Sequence, residues 1–138
     1  MSQPSSRAFL DHIDQRVRST EAARPFYDAF MGALGMRRVT EDDVVEWVGY
    51  AFDDGEELGV PFFGLMASPD HRPDETRIAF HADSRAEVDR IARTVVAAGA
   101  KEVEGPELCL EYGPTYYAVF FEDLDGNRFE VCCRGQGA

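Results

Sequence analysis

The sequence has no apolar run long enough to cross a membrane, and it is poor in basic residues. Its 138 residues include 14 Lys and Arg against 26 Asp and Glu, which gives a net charge of −12 at pH 7. So acidic a chain repels the phosphates of nucleic acids and anionic membranes, and we expect neither as a partner. Residues 1–6 are polar and carry no apolar signal core, which predicts a cytoplasmic protein.

Cysteine is also scarce. Cys109, Cys132 and Cys133 are odd in number, and none of their spacings resembles a zinc site. Because Cys132 and Cys133 are adjacent, a strand would direct them to opposite faces. We therefore expect three reduced thiols and no disulfide framework.

A pattern of one strand, one helix and three further strands occurs twice in the chain. The first copy covers about residues 7–68 and the second about residues 76–134, and a linker of about residues 69–75 separates them. Each copy alone would leave one sheet face bare, so two copies packed together can bury a shared concave surface. We predict a single α+β domain, residues 1–138, in which two tandem βαβββ modules form a curved mixed sheet around one cavity.

The helix boundaries repeat as well. Ser19 and Ser84 are each placed to cap a helix. Each helical pattern then stops at a glycine, Gly35 or Gly99, as a left-handed cap requires. Pro25 lies inside the first pattern, so that helix is expected either to kink there or to begin late.

Alternating apolar residues predict four strands in each copy. They are residues 10–17, 36–40, 44–52 and 58–67, followed by 77–82, 101–103, 116–122 and 128–133. Acidic turns at residues 41–43 and 53–56 separate strands of the first copy. Residues 104–114 contain two prolines and two glycines and are expected to form a loop.

The last two strands are expected to form a hairpin. Asp123, Asp125 and Gly126 suit a type I turn followed by a glycine bulge, and we interpret them as turn residues only. This turn places Phe120 across from Glu130.

Five short motifs keep a specific order and spacing. They are Leu-Asp-His-Ile at 10–13, Phe-Tyr at 26–27, Leu-Gly-Met at 34–36, Ile-Ala-Phe at 78–80 and Asp-Leu-Asp-Gly-Asn-Arg-Phe-Glu at 123–130. Together they resemble the vicinal oxygen chelate superfamily, which includes glyoxalase I, extradiol dioxygenases, fosfomycin resistance enzymes and bleomycin resistance proteins. The resemblance covers residues 9–134 and implies a small-molecule ligand and a homodimer.

In metal-dependent members of that family a divalent ion is held at up to four positions, which correspond here to His12, Gly64, Arg77 and Glu130. His12 and Glu130 can ligate Zn, Fe, Ni or Mn. Glycine has no side chain to offer, and a guanidinium has only donors. We therefore expect no resident metal and an Arg77–Glu130 ion pair in its place. A metal held by His12 and Glu130 is the alternative.

The expected catalytic residues are Glu130, as a general base, and His12. The candidate binding residues share the sheet faces that point away from the helices, and they are Arg77, His81, Phe62, Met66, Tyr116 and Phe120. The alternative for the histidines is ordinary hydrogen bonding, and for the aromatic residues it is simple filling of space. His81 lies four residues after Arg77, about 13 Å along a strand, which is too far to replace the missing ligand.

Two functions of different classes follow from the resemblance. The first is an enzyme or degenerate enzyme of lyase or dioxygenase type with an incomplete metal site. The alternative is a metal-free protein that sequesters a drug or metabolite, as bleomycin resistance proteins do. A partner-binding module with a vestigial pocket is a third, weaker hypothesis.

Overall fold

A computed structural model describes residues 9–39, 46–52 and 61–135. Within these ranges the elements are β1 (His12–Val17), α1 (Thr20–Ala33), β2 (Met36–Arg38), β3 (Trp47–Phe52), β4 (Phe62–Ala67), β5 (Arg77–His81), α2 (Arg85–Ala97), β6 (Lys101–Leu108), β7 (Tyr117–Glu122) and β8 (Arg128–Cys133). Neither described helix has the length and apolar character that a membrane span requires.

The strands form two four-stranded sheets with the same order, β1-β4-β3-β2 and β5-β8-β7-β6. In each sheet the first strand of a copy pairs in parallel with the last strand of that copy, and the remaining pairs are antiparallel. Two tandem βαβββ modules of α+β class are thus confirmed. The acidic turns at 41–43 and 53–56, and the predicted strand residues 44–45 and 58–60, lie outside the described ranges.

The described residues fall into two compact units. The first is drawn from Met1–Arg24 and Gly35–His71, and the second from Pro25–Leu34 and Arg72–Ala138. Most of α1 therefore belongs with the second sheet, whereas the doubled pattern predicted one helix for each sheet. An apolar helix stripe fits any apolar sheet face, so the sequence did not identify the sheet that this helix packs on.

The second unit is built around aromatic rings. The ring of Phe30 in α1 lies 5.1 to 5.5 Å, centroid to centroid, from three rings on one face of the sheet, those of Phe80, Phe121 and Phe129. Helix α2 packs against β6, β7 and β8. The opposite face of this sheet carries Glu130 and its neighbours.

Both helices begin at the predicted serine. The Ser19 hydroxyl accepts a hydrogen bond from the backbone N–H of Ala22 (3.1 Å), and Ser84 does the same for Glu87 (3.1 Å). Helix α1 runs without a break through Pro25, so a late start is wrong. Gly35 and Gly99 have φ values of 99° and 106°, as the left-handed caps require.

Strand β6 is longer than predicted. It runs to Leu108, through residues that were expected to form a loop. Because β6 is the edge strand of its sheet, Pro106 lies where a missing N–H donor is tolerated. Register shifts between Lys101, Glu104 and Glu107 interrupt the alternation from which strands are predicted.

Asp123 is more than a turn residue, which corrects the sequence interpretation. Its side chain is 1% exposed and accepts hydrogen bonds from the Tyr27 hydroxyl (2.5 Å) and the Asn127 amide (2.8 Å). It also accepts from the backbone N–H groups of Asp125 (2.9 Å) and Asn127 (2.8 Å). One carboxylate therefore holds both the hairpin turn and helix α1.

Candidate functional site

His12 and Gly64 lie on the same face of the first sheet. In the register of β1 and β4, His12 is beside Phe62 and Asp14 is beside Gly64. Met66 belongs to the same face, because it is two residues further along β4. The opposite face carries buried apolar side chains, those of Val17, Val48, Tyr50, Phe63 and Leu65. The predicted shared face of His12, Phe62 and Met66 is confirmed, while their roles stay predictions.

His12 is held by its neighbours. Its ring stacks on Phe62, with centroids 4.6 Å apart and planes 8° from parallel, and its side chain is 43% exposed. Nδ1 lies 2.8 Å from Oδ1 of Asp11, and Nε2 lies 3.7 Å from Oδ2 of Asp14. A carboxylate can only accept, so Nδ1 donates to Asp11.

The space beside Gly64 is already filled. Trp47 donates its indole N–H to Oδ1 of Asp14 (3.2 Å). A Cβ atom at Gly64 would lie 2.5 Å from that Oδ1 and 2.6 Å from Nε1 of Trp47. Gly49, in register with Gly64 on β3, also faces the indole. A side-chain ligand at position 64 would therefore require the Asp14 carboxylate and the Trp47 indole to move. In the sequence, the only sign of this packing is a pair of glycines, Gly49 and Gly64, together with the only tryptophan. The β3–β4 register is needed to see that these three residues lie together.

On the second sheet, Glu130 lies across from Phe120, which confirms the predicted hairpin register. Ala79 is on its other side, and Arg77 is beside Arg128 in the preceding row. His81 is in register with Cys132 on the same face.

Glu130 is 7% exposed, and Oε2 of its carboxylate accepts a hydrogen bond from the Tyr116 hydroxyl. Burial, followed by hydrogen bonds to Cys132 and Glu130, raises the pKa of Tyr116. The phenol is therefore protonated at neutral pH and donates to the carboxylate. Burial also raises the pKa of Cys109, with smaller effects from Glu111, Glu107 and Glu130. Four buried residues pack together here, namely Cys109, Tyr116, Ala118 and Cys132.

The expected Arg77–Glu130 ion pair is wrong. The guanidinium carbon of Arg77 lies 5.0 Å from the centroid of the Phe120 ring, and within the described ranges it makes no ion pair with Glu130. Register and a competing contact account for this difference. Ala79, not Arg77, is beside Glu130 on β5, and the Phe120 ring offers a flat face to the Arg77 cation.

The side chains at the four family positions do not fit a divalent ion. Catalytic metal sites normally need three protein ligands, and this chain offers an imidazole and a carboxylate. Position 64 is a glycine covered by the Trp47 indole, and position 77 carries a permanent positive charge. Among described residues no group of three or more His, Cys, Asp or Glu could hold a metal ion. Whether the protein contains a metal stays a prediction.

Replacing Tyr116 with Phe should change the alkaline stability of the protein. The pKa of Tyr116 is higher in the folded state than in the unfolded state, where it is about 10. The stability that this difference gives is fully present below the unfolded-state pKa and is lost as the pH rises through the folded-state pKa. We expect the free energy of unfolding to fall above about pH 10 in the wild type, and less steeply in the Tyr116→Phe variant. Urea unfolding across this pH range checks it, and identical slopes would contradict the raised pKa.

Two sheets of identical strand order with two helices define an α+β protein of doubled βαβββ architecture. The profile of the Glyoxalase/Bleomycin resistance protein/Dioxygenase superfamily matches residues 9–131. The chain belongs to this superfamily. No curated protein sequence matches it.

Solved structures share this fold at low sequence identity. A glyoxalase/bleomycin resistance protein from Albidiferax ferrireducens T118 is 22% identical with a TM-score of 0.71, covering 93% of this chain and 100% of that one. A glyoxalase/bleomycin resistance protein/dioxygenase family enzyme from Burkholderia phytofirmans PsJN is 18% identical with a TM-score of 0.68. The match covers 93% of this chain and 100% of that one.

A third similar structure is a mutant fosfomycin resistance protein from Listeria monocytogenes, complexed with Mn(II) and 1S,2S-dihydroxypropylphosphonic acid. It is 17% identical with a TM-score of 0.63, covering 94% of this chain and 90% of that one. At these identities the likeness shows the fold alone.

Proposed function

We propose that this chain is a small-molecule enzyme of the superfamily in which Glu130 accepts a proton from the substrate. In this proposal the family's full set of metal ligands is absent and no resident divalent ion is required. The single observation that carries the proposal is the Glu130 carboxylate, buried on the sheet face away from the helices and hydrogen-bonded by Tyr116.

The geometry of Glu130 suits a general base. Tyr116 engages Oε2, and within the described chain no side chain or backbone group donates to Oε1. A proton acceptor needs such a free lone pair, together with a contact that fixes its orientation. Phe120 lies across from Glu130, Arg77 lies over the Phe120 ring, and both would contact the substrate. Carbon acids with two adjacent oxygens are the substrate class that the family suggests.

His12 is the second proposed acid–base group. Its contact with Asp11 and the stacked ring of Phe62 hold the imidazole in place. Phe62 and Met66 on the first sheet, and His81 on the second, remain proposed binding residues. We also propose a homodimer by family resemblance, which light scattering of the purified protein would test.

Metal analysis tests the metal part of this proposal. Protein purified without chelator should contain only substoichiometric Zn, Fe, Ni or Mn, because two of the four ligand positions carry no ligand. Plasma mass spectrometry of the wild type, His12→Ala and the control His71→Ala checks this. Near-stoichiometric metal that is lost in His12→Ala but kept in His71→Ala would contradict the proposal.

A second candidate function is sequestration without turnover, and one observation favours it. On the first sheet, the rings of His12, Trp47 and Phe62 are grouped with the carboxylates of Asp11 and Asp14. Aromatic faces beside carboxylates suit a cationic aromatic ligand.

Trp47, as the only tryptophan, provides the test. A bleomycin-type glycopeptide should quench its fluorescence saturably in the wild type and more weakly in Phe62→Ala. Recovery of unmodified glycopeptide would support sequestration, whereas unchanged fluorescence would contradict it.

A further inference from the structure

Arg77 and Arg128 lie side by side on the face of the second sheet that carries Glu130. They are register partners in the parallel pair β5 and β8, where neighbouring strands are about 4.8 Å apart. Like charges in adjacent positions of a sheet repel each other. This pair therefore costs free energy unless something of opposite charge lies near it.

Neither guanidinium forms an ion pair with a carboxylate in the part of the chain that the structure describes. Across the described ranges, Arg128 makes no ion pair or side-chain hydrogen bond, and Arg77 contacts only the ring of Phe120. Glu122 is in register with Arg128 on β7, yet the two form no ion pair.

The contact with Phe120 leaves the donors of Arg77 available. A guanidinium lying over a ring uses its flat face, while its N–H bonds point outward in the guanidinium plane. These donors form the planar fork that matches a carboxylate or phosphonate group. The ring thus limits the motion of the side chain without occupying its hydrogen bonds.

We propose that Arg77 and Arg128 bind an anionic group of the ligand, a carboxylate or a phosphonate, beside Glu130. The assignment of Glu130 as the acting base rests on the proposed function, but the anion site does not. Glu130 is two residues from Arg128 along β8, about 6.6 Å. The substrate class is therefore a small organic anion whose acidic hydrogen lies a few bonds from its charged group.

Titration with benzoate and with benzamide, its neutral analogue, tests the proposal. The arginine Nε–H signals in NMR spectra report binding, and methylphosphonate serves as a second anionic probe. We expect saturable shifts for the anions and none for benzamide. Arg77→Gln and Arg128→Gln should each weaken anion binding by about 10-fold to 100-fold.

Arg93→Gln on α2 is the matched control, because it removes the same charge from an exposed position of the helix. Its affinity for benzoate should equal that of the wild type. Arg77→Lys should retain part of the affinity, since it keeps the charge but loses the fork. Equal binding of benzamide, equal weakening in Arg93→Gln, or no saturable binding of either anion would overturn the proposal.

Glu130→Gln separates this inference from the proposed function. The variant should bind benzoate at least as tightly as the wild type, because a neighbouring negative charge is removed, while any proton transfer is lost. Anion binding without proton transfer in the wild type would overturn the proposed function alone. Proton transfer with equal affinity for benzoate and benzamide would overturn the anion site alone.

Discussion

The Asp123→Ala variant is expected to lose about 3–5 kcal/mol of the free energy of unfolding. The substitution removes the acceptor that four donors share, namely the Tyr27 hydroxyl, the Asn127 amide and the backbone N–H groups of Asp125 and Asn127. The loss of a buried acceptor costs the desolvation that its hydrogen bonds had offset. Urea unfolding followed by circular dichroism measures the loss.

Two further variants show whether the network is responsible. Tyr27→Phe removes one donor and leaves the others satisfied, so we expect a loss of about 1–2 kcal/mol. Asp70→Ala removes a carboxylate from an exposed position of the linker, and its effect should stay within about 0.5 kcal/mol. Similar losses for Asp123→Ala and Asp70→Ala would contradict the anchoring role of Asp123.

The Gly64→Glu variant, which introduces the carboxylate found at this position in metal-dependent relatives, is expected to destabilise the fold by about 2–3 kcal/mol. Its Cβ atom would lie 2.5 Å from Oδ1 of Asp14 and 2.6 Å from Nε1 of Trp47. To relieve these contacts, either the Trp47 indole moves away from position 64 or strands β3 and β4 shift. Gly64→Ala, with only the Cβ atom added, should already lower the denaturation midpoint in urea.

Gly32 provides the matched control, because a Cβ atom there meets nothing within 4 Å. Gly32→Ala lies inside α1 and should raise stability by about 0.5–1 kcal/mol. Combining Gly64→Ala with Trp47→Ala should cost less than the sum of the two single changes, because the clash disappears with the indole. A Gly64→Glu protein that is as stable as the wild type and binds Mn²⁺ stoichiometrically would refute the packing explanation.

The sequence was sufficient where local rules decide the structure. Ser84 and Gly99 mark the ends of α2 by capping chemistry, and the Asp123–Gly126 turn fixes Phe120 opposite Glu130. Alternation placed His12 on the same sheet face as Asp14 and Gly64, and Arg77 on the same sheet face as Glu130. These features depend on residues close together in the chain.

The features that were missed depend on contacts between distant residues. Trp47 covers Gly64 only because β3 and β4 pair in one particular register. Tyr27 reaches Asp123 from a helix that the sequence assigned to the other sheet. Arg77 lies over Phe120, and not against Glu130, in a sheet register that puts Ala79 beside Glu130. No local pattern contains this information.

The central claim is that Glu130 accepts a proton and that the full set of metal ligands is not needed. Incorporation of deuterium from D₂O into the hemithioacetal of methylglyoxal and glutathione, followed by NMR after exhaustive chelation, tests it most directly. The account predicts enzyme-dependent exchange in chelated wild type and its loss in Glu130→Gln. Exchange that persists in Glu130→Gln, or that stops on chelation and returns with Zn²⁺, Ni²⁺ or Mn²⁺, would contradict it.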